Sequence, residues 1–263
     1  MYDFAYEKPT AIAAALATLK SHADSKALAG GQTFIPVLKQ RLNKPSVVVD
    51  LAKLGLAGIN VTPNAVVIGA MTTHGAVGGS AEVNKAIPAL AHLASMIGDW
   101  QVRHRGTIGG SLANNDPSAC YPAAVLALGA TITTDRRTIL ADDYFQGMFT
   151  TALEEGELVT SISFPIPERA AYMKFRNPAS RYAMVGVFVA KLPAGVRVAI
   201  TGASQGGVFR HAQMERALSA NFAASAIADV TTPADGLNSD IHASAEYRAH
   251  LIGVMAKRAV EAA

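Results

Sequence analysis

The first fifty or so residues alternate between apolar runs and short breaks rich in glycine or polar residues. The stretch KPTAIAAALATLKSH, residues 8–22, is rich in Ala and Leu and has a Pro near its start, which predicts a helix ending near His22. A short apolar strand then leads into Gly30 and Gly31, a helical segment follows, and SVVVDLAKL reads as a β-branched strand. The order β–turn–α–β predicts a compact unit over residues 1–55.

A second pattern covers residues 56–168. Two short apolar strands flank the Thr-Pro-Asn sequence at 62–64, which is a hairpin turn signal. The segment IPALAHLASMIGD repeats apolar residues at helical spacing, and PAAVLALGATITT predicts a helix that breaks at Gly129 into a strand. The prolines of ELVTSISFPIP end a further strand and with it this part of the chain.

The pattern changes again at residue 169. AYMKFRNPASRYAMVGVFVAKL and GVRVAITGASQGG alternate like strands of a small antiparallel sheet. HAQMERALSA and the long SDIHASAEYRAHLIGVMAKRAVEAA predict helices, the second with an Asp/Ser start. The chain is therefore expected to be α+β, in three successive pieces that end with residues 169–263.

Composition limits the class of protein further. Half of the 263 residues are hydrophobic and 16% are charged, which suits a globular chain, and no apolar run approaches a membrane span. The net charge is +3 and no basic run exceeds a pair, so we expect no nucleic-acid partner. The single cysteine, Cys120, excludes an internal disulfide and a Cys-ligated iron–sulfur cluster held by this chain alone. It also predicts a cytoplasmic location.

Two glycine pairs are the strongest candidates for a binding site. Each pair, Gly30-Gly31 and Gly109-Gly110, is followed within two residues by a hydroxyl residue, Thr33 or Ser111, where one element turns into the next. Successive backbone N–H groups in such a turn can form an anion-binding concavity, and a following helix adds partial positive charge. Two such turns facing each other would suit a diphosphate.

The motif chemistry alone leaves alternatives open. Neither pair belongs to GxGxxG or GxxxxGK[ST], so neither the dinucleotide fingerprint nor the P-loop is present. A glycine pair is also compatible with a tight structural turn. The residues by themselves favour a nucleotide or dinucleotide binder and do not choose between the two.

The other candidate residues give weaker indications of function. Arg103-His104-Arg105 is equally compatible with a phosphate-binding cluster and with a solvated segment. The histidines show no metal-binding spacing, so no metal site is predicted, and without GxSxG no serine nucleophile or other catalytic residue is proposed. Cys120 is expected to be a small packed residue rather than a reactive thiol, and Trp100 to serve packing or a subunit surface.

Three ordered segments carry a family resemblance. AGGQTFIPVLKQRL, TIGGSLANNDPSACYPAAVLALGA and KFRNPASRYAMVGVF resemble the FAD-binding medium subunit of molybdenum hydroxylases, which include carbon monoxide dehydrogenase and relatives of the xanthine dehydrogenase flavin domain. The resemblance covers essentially the whole chain. It implies a fold of the vanillyl-alcohol-oxidase or PCMH type. In that fold two α+β subdomains, 1–55 and 56–168, hold FAD, and a C-terminal domain, 169–263, has a three-stranded antiparallel sheet and helices.

The resemblance also implies the residues around the cofactor. Two segments would form the pyrophosphate turns, Ile97 and Val159 would be apolar contacts, and Lys174 and the ring of Tyr182 would lie near the flavin. The set that it implies is Leu28, Ala29, Gly30, Gly31, Gln32, Thr33, Phe34, Ile35, Ile97, Thr107, Ile108, Gly109, Gly110, Ser111, Asn114, Asp116, Cys120, Val159, Lys174 and Tyr182. Relatives commonly carry Asp at the position of Cys120, so this contact is expected to differ here, with Asp116 as a candidate to compensate.

The function expected from the resemblance is that of a flavoprotein subunit. It would pass electrons from iron–sulfur clusters in a small [2Fe-2S] subunit, through FAD, to an external acceptor, while a large molybdopterin subunit oxidises the substrate. The expected assembly is a dimer of heterotrimers. The alternatives are a self-contained flavin oxidoreductase and a non-enzymatic nucleotide-binding module.

Overall fold

The computed structural model describes residues 1–263 and contains three main sheets that follow one another along the chain. The N-terminal sheet has three parallel strands in the order β1-β3-β2. Its elements are β1 Ala5–Glu7, α1 Ile12–Ser21, β2 Lys26–Leu28, α2 Phe34–Lys39 and β3 Val47–Asp50. Every residue of the central strand β3 is buried, as expected for a parallel strand covered on both faces.

The predicted β–turn–α–β unit is present, with one strand more than the sequence pattern indicated. Strand β1 was missed because its three residues are all exposed and show no apolar alternation. It pairs with β3 in parallel, and Tyr6 donates a hydrogen bond from its hydroxyl to Asp50 in that strand. The pairing is therefore stabilised by contacts with a strand some forty residues away, which local pattern does not reveal.

The middle part is built on a five-stranded antiparallel sheet in the order β4-β5-β10-β6-β7. Its strands and the small hairpin β8–β9 are β4 Ile59–Val61, β5 Ala65–Gly69, β6 Thr131–Thr134, β7 Thr138–Leu140, β8 Phe145–Gly147, β9 Thr150–Thr151 and β10 Val159–Pro165. The predicted hairpin turn is present, because the Thr62 N–H donates to the Ala65 carbonyl at 2.8 Å and links β4 to β5.

Seven helices accompany this sheet. They are α3 His74–Gly79, α4 Ala81–Ala86, α5 Pro88–Ser95, α6 Trp100–Arg105, α7 Ile108–Asn114, α8 Tyr121–Leu128 and α9 Ala141–Tyr144. All eight residues of α8 are buried, which is typical of an apolar helix at the centre of a core, and it ends at Gly129 as predicted. The largest hydrophobic core of the protein forms around α5, α8 and the middle sheet.

The C-terminal part contains an antiparallel sheet in the order β11-β12-β13-β14 and two helices. The elements are β11 Arg169–Arg176, β12 Ala183–Leu192, β13 Gly195–Thr201, β14 Phe209–Arg210, α10 Ala212–Ala220 and α11 Ala245–Ala262. The three long strands match the expected three-stranded sheet, and the fourth adds two residues at its edge. Helix α11 begins after Ser244, whose hydroxyl accepts from the Tyr247 N–H, so the predicted start at Ser239 was too early.

Strand β12 joins the middle and C-terminal parts. Val187 and Val189 pack with α10 and α11 on one face, whereas Phe188 and Ala190 pack into the middle core on the other. Side chains alternate between the two faces of a strand, so one strand serves both cores. Each predicted range contains one main sheet; their division into separate domains remains a prediction. None of the helices is long and apolar enough to cross a bilayer.

Candidate functional site

A cavity of about 650 Å³ is lined by residues from all three parts of the chain. Seventeen of the twenty site residues implied by the resemblance line it, namely Ala29, Gly30, Gly31, Gln32, Thr33, Phe34, Ile97, Thr107, Gly109, Gly110, Ser111, Asn114, Asp116, Cys120, Val159, Lys174 and Tyr182. Ala29 and Tyr182, which lie 153 residues apart in the sequence, therefore line the same cavity.

Leu28, Ile35 and Ile108 do not line the cavity. Ile108 is fully buried in the middle core. Leu28 and Ile35 flank Gly31, because a Cβ on that glycine would lie 3.2 Å from Leu28 Cδ1 and 2.6 Å from Ile35 Cδ1. Leu28 and Ile35 thus pack beside the first glycine pair, and the role of these three residues at the cofactor stays a prediction.

The first glycine segment leaves a run of backbone donors free. No hydrogen-bond acceptor within the protein is found for the N–H groups of Gly30, Gly31, Gln32 and Thr33. Gly31 has φ +74°, a left-handed conformation that other residues rarely adopt, and it turns the chain into α2. Unpaired N–H groups in succession at a left-handed turn are the donor set of an anion-binding concavity.

The second glycine segment is different, and the prediction of a second set of free amides is wrong. The N–H groups of Ile108 and Gly109 donate to the carbonyls of Thr72 and Ala70, at 3.1 and 2.8 Å. The next two amides, of Gly110 and Ser111, donate to the Thr107 hydroxyl and the Thr107 carbonyl, at 3.1 and 3.0 Å. The capping hydroxyl is thus Thr107, which precedes the glycine pair.

What the second segment presents to the cavity is side chains. The hydroxyl of Ser111 and the carboxamide of Asn114 line the cavity and have no hydrogen-bond partner within the protein. Both amides of the pair are engaged within the protein, that of Gly109 with the Ala70 carbonyl and that of Gly110 with the capping Thr107 hydroxyl, and Gly109 packs directly on Ala70. This side of the cavity therefore offers one hydroxyl and one amide group to a ligand.

The two glycine segments lie in contact. A Cβ placed on Gly30 would overlap the carbonyl oxygen of Arg105 and lie 2.7 Å from Gly106 Cα. A Cβ on Gly110 would lie 3.1 Å from Ala29 Cβ. Because Gly30 and Gly110 have no side chains, the two segments can approach closely. The free amides of the first segment and Ser111 of the second therefore belong to the same cavity.

A lysine and a cysteine meet at another part of the cavity wall. Lys174 donates from Nζ to Cys120 Sγ at 3.3 Å and to the Met96 carbonyl at 3.1 Å. Neither acceptor is a carboxylate, and an ammonium group has three N–H donors, so one donor has no partner within the protein.

Cys120 also affects a buried tyrosine. Burial, together with the neighbouring Cys120, raises the pKa of Tyr172 well above its ordinary value. Cys120 is buried, as expected, but it is also part of the cavity wall.

The Arg103-His104-Arg105 cluster divides into two roles. Arg103 turns inward and donates from Nη1 to the carbonyls of Ile97 and Gly98, at 2.9 and 3.0 Å. His104 and Arg105 are exposed and take part in no ion pair. None of the three lines the cavity, so neither a simple phosphate cluster nor a wholly solvated segment describes them.

Sequence reasoning missed four ionisable residues of the cavity wall, Lys26, His74, Glu157 and Arg181, of which His74 and Glu157 are buried. His74 is buried, its Nδ1 has no partner, and burial together with the positive charge of Arg103 lowers its pKa to about 4. Glu157 accepts hydrogen bonds from Arg137, from the Thr134 hydroxyl and from the Glu154 N–H, and its pKa falls to about 2. Neither belongs to a motif, so only the tertiary structure could place them.

The remaining predicted residues lie at the rim or along the apolar wall. Tyr182 is 54% exposed and shares its part of the rim with Asp116. Partial burial and the nearby charge of Asp116 raise the pKa of Tyr182. Ile97 and Val159 contribute apolar surface and also pack against the middle core. No group of three or more His, Cys, Asp or Glu side chains is close enough to hold a metal ion.

Comparison with known proteins gives the class of the chain. The sequence model of the family described as "FAD binding domain in molybdopterin dehydrogenase" matches residues 2–167. The carbon monoxide dehydrogenase medium chain of Afipia carboxidovorans is 37% identical and aligns over 99% of this chain and 96% of its own length. The nicotine 6-hydroxylase medium subunit of Paenarthrobacter nicotinovorans is 34% identical, over 97% and 95% of the two chains.

Solved structures agree. A chain of reconstituted CO dehydrogenase from Oligotropha carboxidovorans superposes with a TM-score of 0.88 at 34% identity, and covers 100% of this chain and 98% of the other. A chain of quinoline 2-oxidoreductase from Pseudomonas putida 86 gives a TM-score of 0.89 at 28% identity, over 99% and 97%. The protein therefore belongs to the FAD-binding flavoprotein subunits of molybdenum hydroxylases, which are oxidoreductases.

The donor set of the cavity fits FAD. A dinucleotide presents a doubly charged diphosphate, which the four free amides of Gly30–Thr33 and the hydroxyls of Thr33 and Ser111 can satisfy. It also presents a planar aromatic ring system, for which Ile97 and Val159 offer apolar surface. Fifteen of the thirty-five lining residues are hydrophobic, a mixture that suits a ligand with one charged and one apolar part.

Proposed function

We propose that this chain is the electron-transfer subunit of a heteromeric molybdenum-containing hydroxylase or dehydrogenase. This chain would receive electrons from iron–sulfur clusters in a partner subunit and pass them on to an external acceptor. One observation carries the proposal. The four unpaired backbone amides of Gly30–Thr33 and the hydroxyl of Ser111, near the start of α7, belong to the same cavity. Bound FAD would supply the redox chemistry.

The chain's own residues would hold and shield that cofactor. Gly30–Thr33 would donate backbone hydrogen bonds to the diphosphate, and Ser111 and Asn114 would add side-chain donors from the opposite segment. Lys174 would direct its remaining N–H and its positive charge toward the flavin. Ile97 and Val159 would exclude water from the apolar part of the cavity. No acid, base or nucleophile is needed in this chain.

The partners proposed are a small [2Fe-2S] subunit and a large molybdopterin subunit, arranged as a dimer of heterotrimers in the cytoplasm. The single cysteine supports this division, because one thiolate cannot ligate an iron–sulfur cluster. The similarity to a medium chain and a medium subunit over nearly the full length of both sequences also supports it.

The binding site is tested by removing the two hydroxyls. Thr33→Ala with Ser111→Ala should weaken FAD binding on the order of 100- to 10,000-fold, since hydrogen bonds to charged groups contribute roughly 1.5–3 kcal/mol each and the double variant removes two of them. Thr231→Ala removes an exposed hydroxyl that makes no hydrogen bond and serves as the matched control. Affinity is measured by fluorescence titration of the flavin-free chain. Unchanged affinity in the double variant would contradict the assigned diphosphate site.

The function is tested with the co-expressed complex. A substrate of the large subunit should bleach the flavin absorbance of the complex and leave that of the isolated chain unchanged. Bleaching of the isolated chain by substrate would favour a self-contained flavin oxidoreductase. A chain that does not bind FAD but binds another nucleotide tightly would favour a nucleotide-binding module.

A further inference from the structure

Helix α6 displays the most exposed aromatic side chain of the protein. Trp100 is 77% exposed, whereas the next most exposed aromatic residue, Phe149, is 57% exposed. Gln101, His104 and Arg105 on the same short helix are also exposed. We call Trp100, Gln101, His104 and Arg105 the α6 surface. Trp and Arg are the residue types most enriched among the energetically dominant contacts of protein interfaces.

The tryptophan is held in place although it is exposed. The guanidinium carbon of Arg103 lies 4.8 Å from the centre of the Trp100 ring, which is cation–π distance. Arg103 is itself anchored by its two hydrogen bonds to the carbonyls of Ile97 and Gly98. Asp99 caps the helix by accepting from the Val102 N–H at 2.8 Å. A pre-ordered side chain loses little conformational entropy when a partner covers it.

The charge of this surface is positive and unpaired. Arg103 and Arg105 make no salt bridge with any carboxylate of the chain. The helix sequence WQVRHR contains no acidic residue, and the carboxylate of Asp99 is engaged at the helix start. A partner that covers the α6 surface would therefore need carboxylates opposite Arg105.

The same helix forms part of the cofactor cavity wall on its other side. Val102 of α6 and the flanking Gly98 and Gly106 line the cavity, so only about one helix diameter, roughly 10 Å, separates the cavity from a partner docked on α6. An electron donor must come near the redox group that it reduces. Of the proposed partners, the iron–sulfur subunit is the one that this position suits.

We propose that the α6 surface is the docking site for an acidic face of the partner subunit that carries the iron–sulfur clusters, with Trp100 as its central contact. This inference rests on the proposed function, since it names the surface through which the proposed donor binds.

The experiment uses the co-expressed complex and purified subunits. Trp100→Ala and Arg105→Glu should each weaken binding of the iron–sulfur subunit at least about 30-fold by calorimetry, without changing the FAD content of this chain. Ile241→Ala truncates a side chain that is 96% exposed in the C-terminal part and should leave binding unchanged. Added salt should weaken partner binding by wild type and should strengthen partner binding by the Arg105→Glu variant, because the substitution turns an attraction into a repulsion and salt screens both.

A photo-crosslinking amino acid at His104, one helical turn from Trp100, identifies the occupant. Crosslinks to the iron–sulfur subunit support the proposal. Crosslinks only to the large subunit or to a second copy of this chain overturn it, as does unchanged affinity in both variants. If the wild-type chain binds FAD but no partner subunit, the proposed function itself is wrong and the docking site fails with it.

Discussion

Lys174 donates from Nζ to Cys120 Sγ at 3.3 Å, and both residues line the cavity assigned to FAD. The lysine thus contacts a thiol where the resemblance leads one to expect a carboxylate. No carboxylate of the chain forms an ion pair with Lys174. The cationic form of this lysine at the cavity wall would favour a cofactor that gains negative charge on reduction.

Cys120→Asp should therefore lower the reduction potential of the bound flavin. A carboxylate beside Lys174 would offset a charge interaction on the order of 1–3 kcal/mol at an effective dielectric of about 20, or roughly 20–60 mV for a two-electron couple. The potential is measured by spectroelectrochemical titration of the FAD-loaded chain. Cys120→Ser keeps a neutral group at the same place and should shift the potential much less; equal shifts in both variants would rule out the charge explanation.

Gly30→Ala should destabilise the protein by about 2–4 kcal/mol, because its Cβ would overlap the Arg105 carbonyl where the two glycine segments touch. The control is Gly79→Ala, at a glycine with no atom within 4 Å of the added Cβ, which should be neutral or slightly stabilising. Urea unfolding of both flavin-free variants gives the two free energies. Because of this contact, Gly30→Asp would remove FAD by disrupting the backbone as well as by charge, and it cannot test the diphosphate site by itself.

His74 should make the protein less stable as the pH falls from 6.5 toward 4. Burial and the charge of Arg103 lower its folded pKa to about 4 from 6.5, so between these values only the unfolded chain takes up the proton. The contribution is complete above pH 6.5, and about 3 kcal/mol is lost by pH 4. His74→Gln should flatten the pH dependence of the unfolding free energy in this window, whereas His22→Gln, at an exposed histidine, should leave the slope as in wild type.

Glu157 should make the stability of the protein depend on pH in a second, more acidic range. The hydrogen bonds from Arg137 are the largest cause that lowers its pKa from 4.5 to about 2. The depressed pKa stabilises the fold above pH 4.5, and this stabilisation is lost as the pH falls toward 2. Since Arg137 is 42% exposed and screened by solvent, the effect is expected to be about 1–3 kcal/mol.

The measurement is acid unfolding followed by circular dichroism. Glu157→Gln should reduce the loss of stability between pH 4.5 and 2 that wild type shows, whereas Glu155→Gln, at an exposed neighbour, should leave that loss unchanged. A wild-type curve that is flat in this window would contradict the assigned role of the Glu157–Arg137 pair.

The sequence by itself determined many of the longer elements and the class of protein. The apolar spacing of α5, the all-apolar run of α8, the turn at Thr62 and the long strands of the C-terminal sheet are local signals, because the period of side-chain burial follows directly from helix and strand geometry. The three quoted segments identified the family, and the comparisons confirmed it.

Only the tertiary structure decided what each glycine pair does. Both pairs look alike in sequence, yet the amides of Ile108 and Gly109 are taken by the carbonyls of Thr72 and Ala70, whereas those of Gly30–Thr33 remain free. The acceptors lie more than thirty residues away, so no local pattern contains them. The same reason explains why the sequence did not predict His74, Glu157 and the short strand β1. The residues that bury or contact them belong to distant segments of the chain, so their roles follow only from tertiary packing.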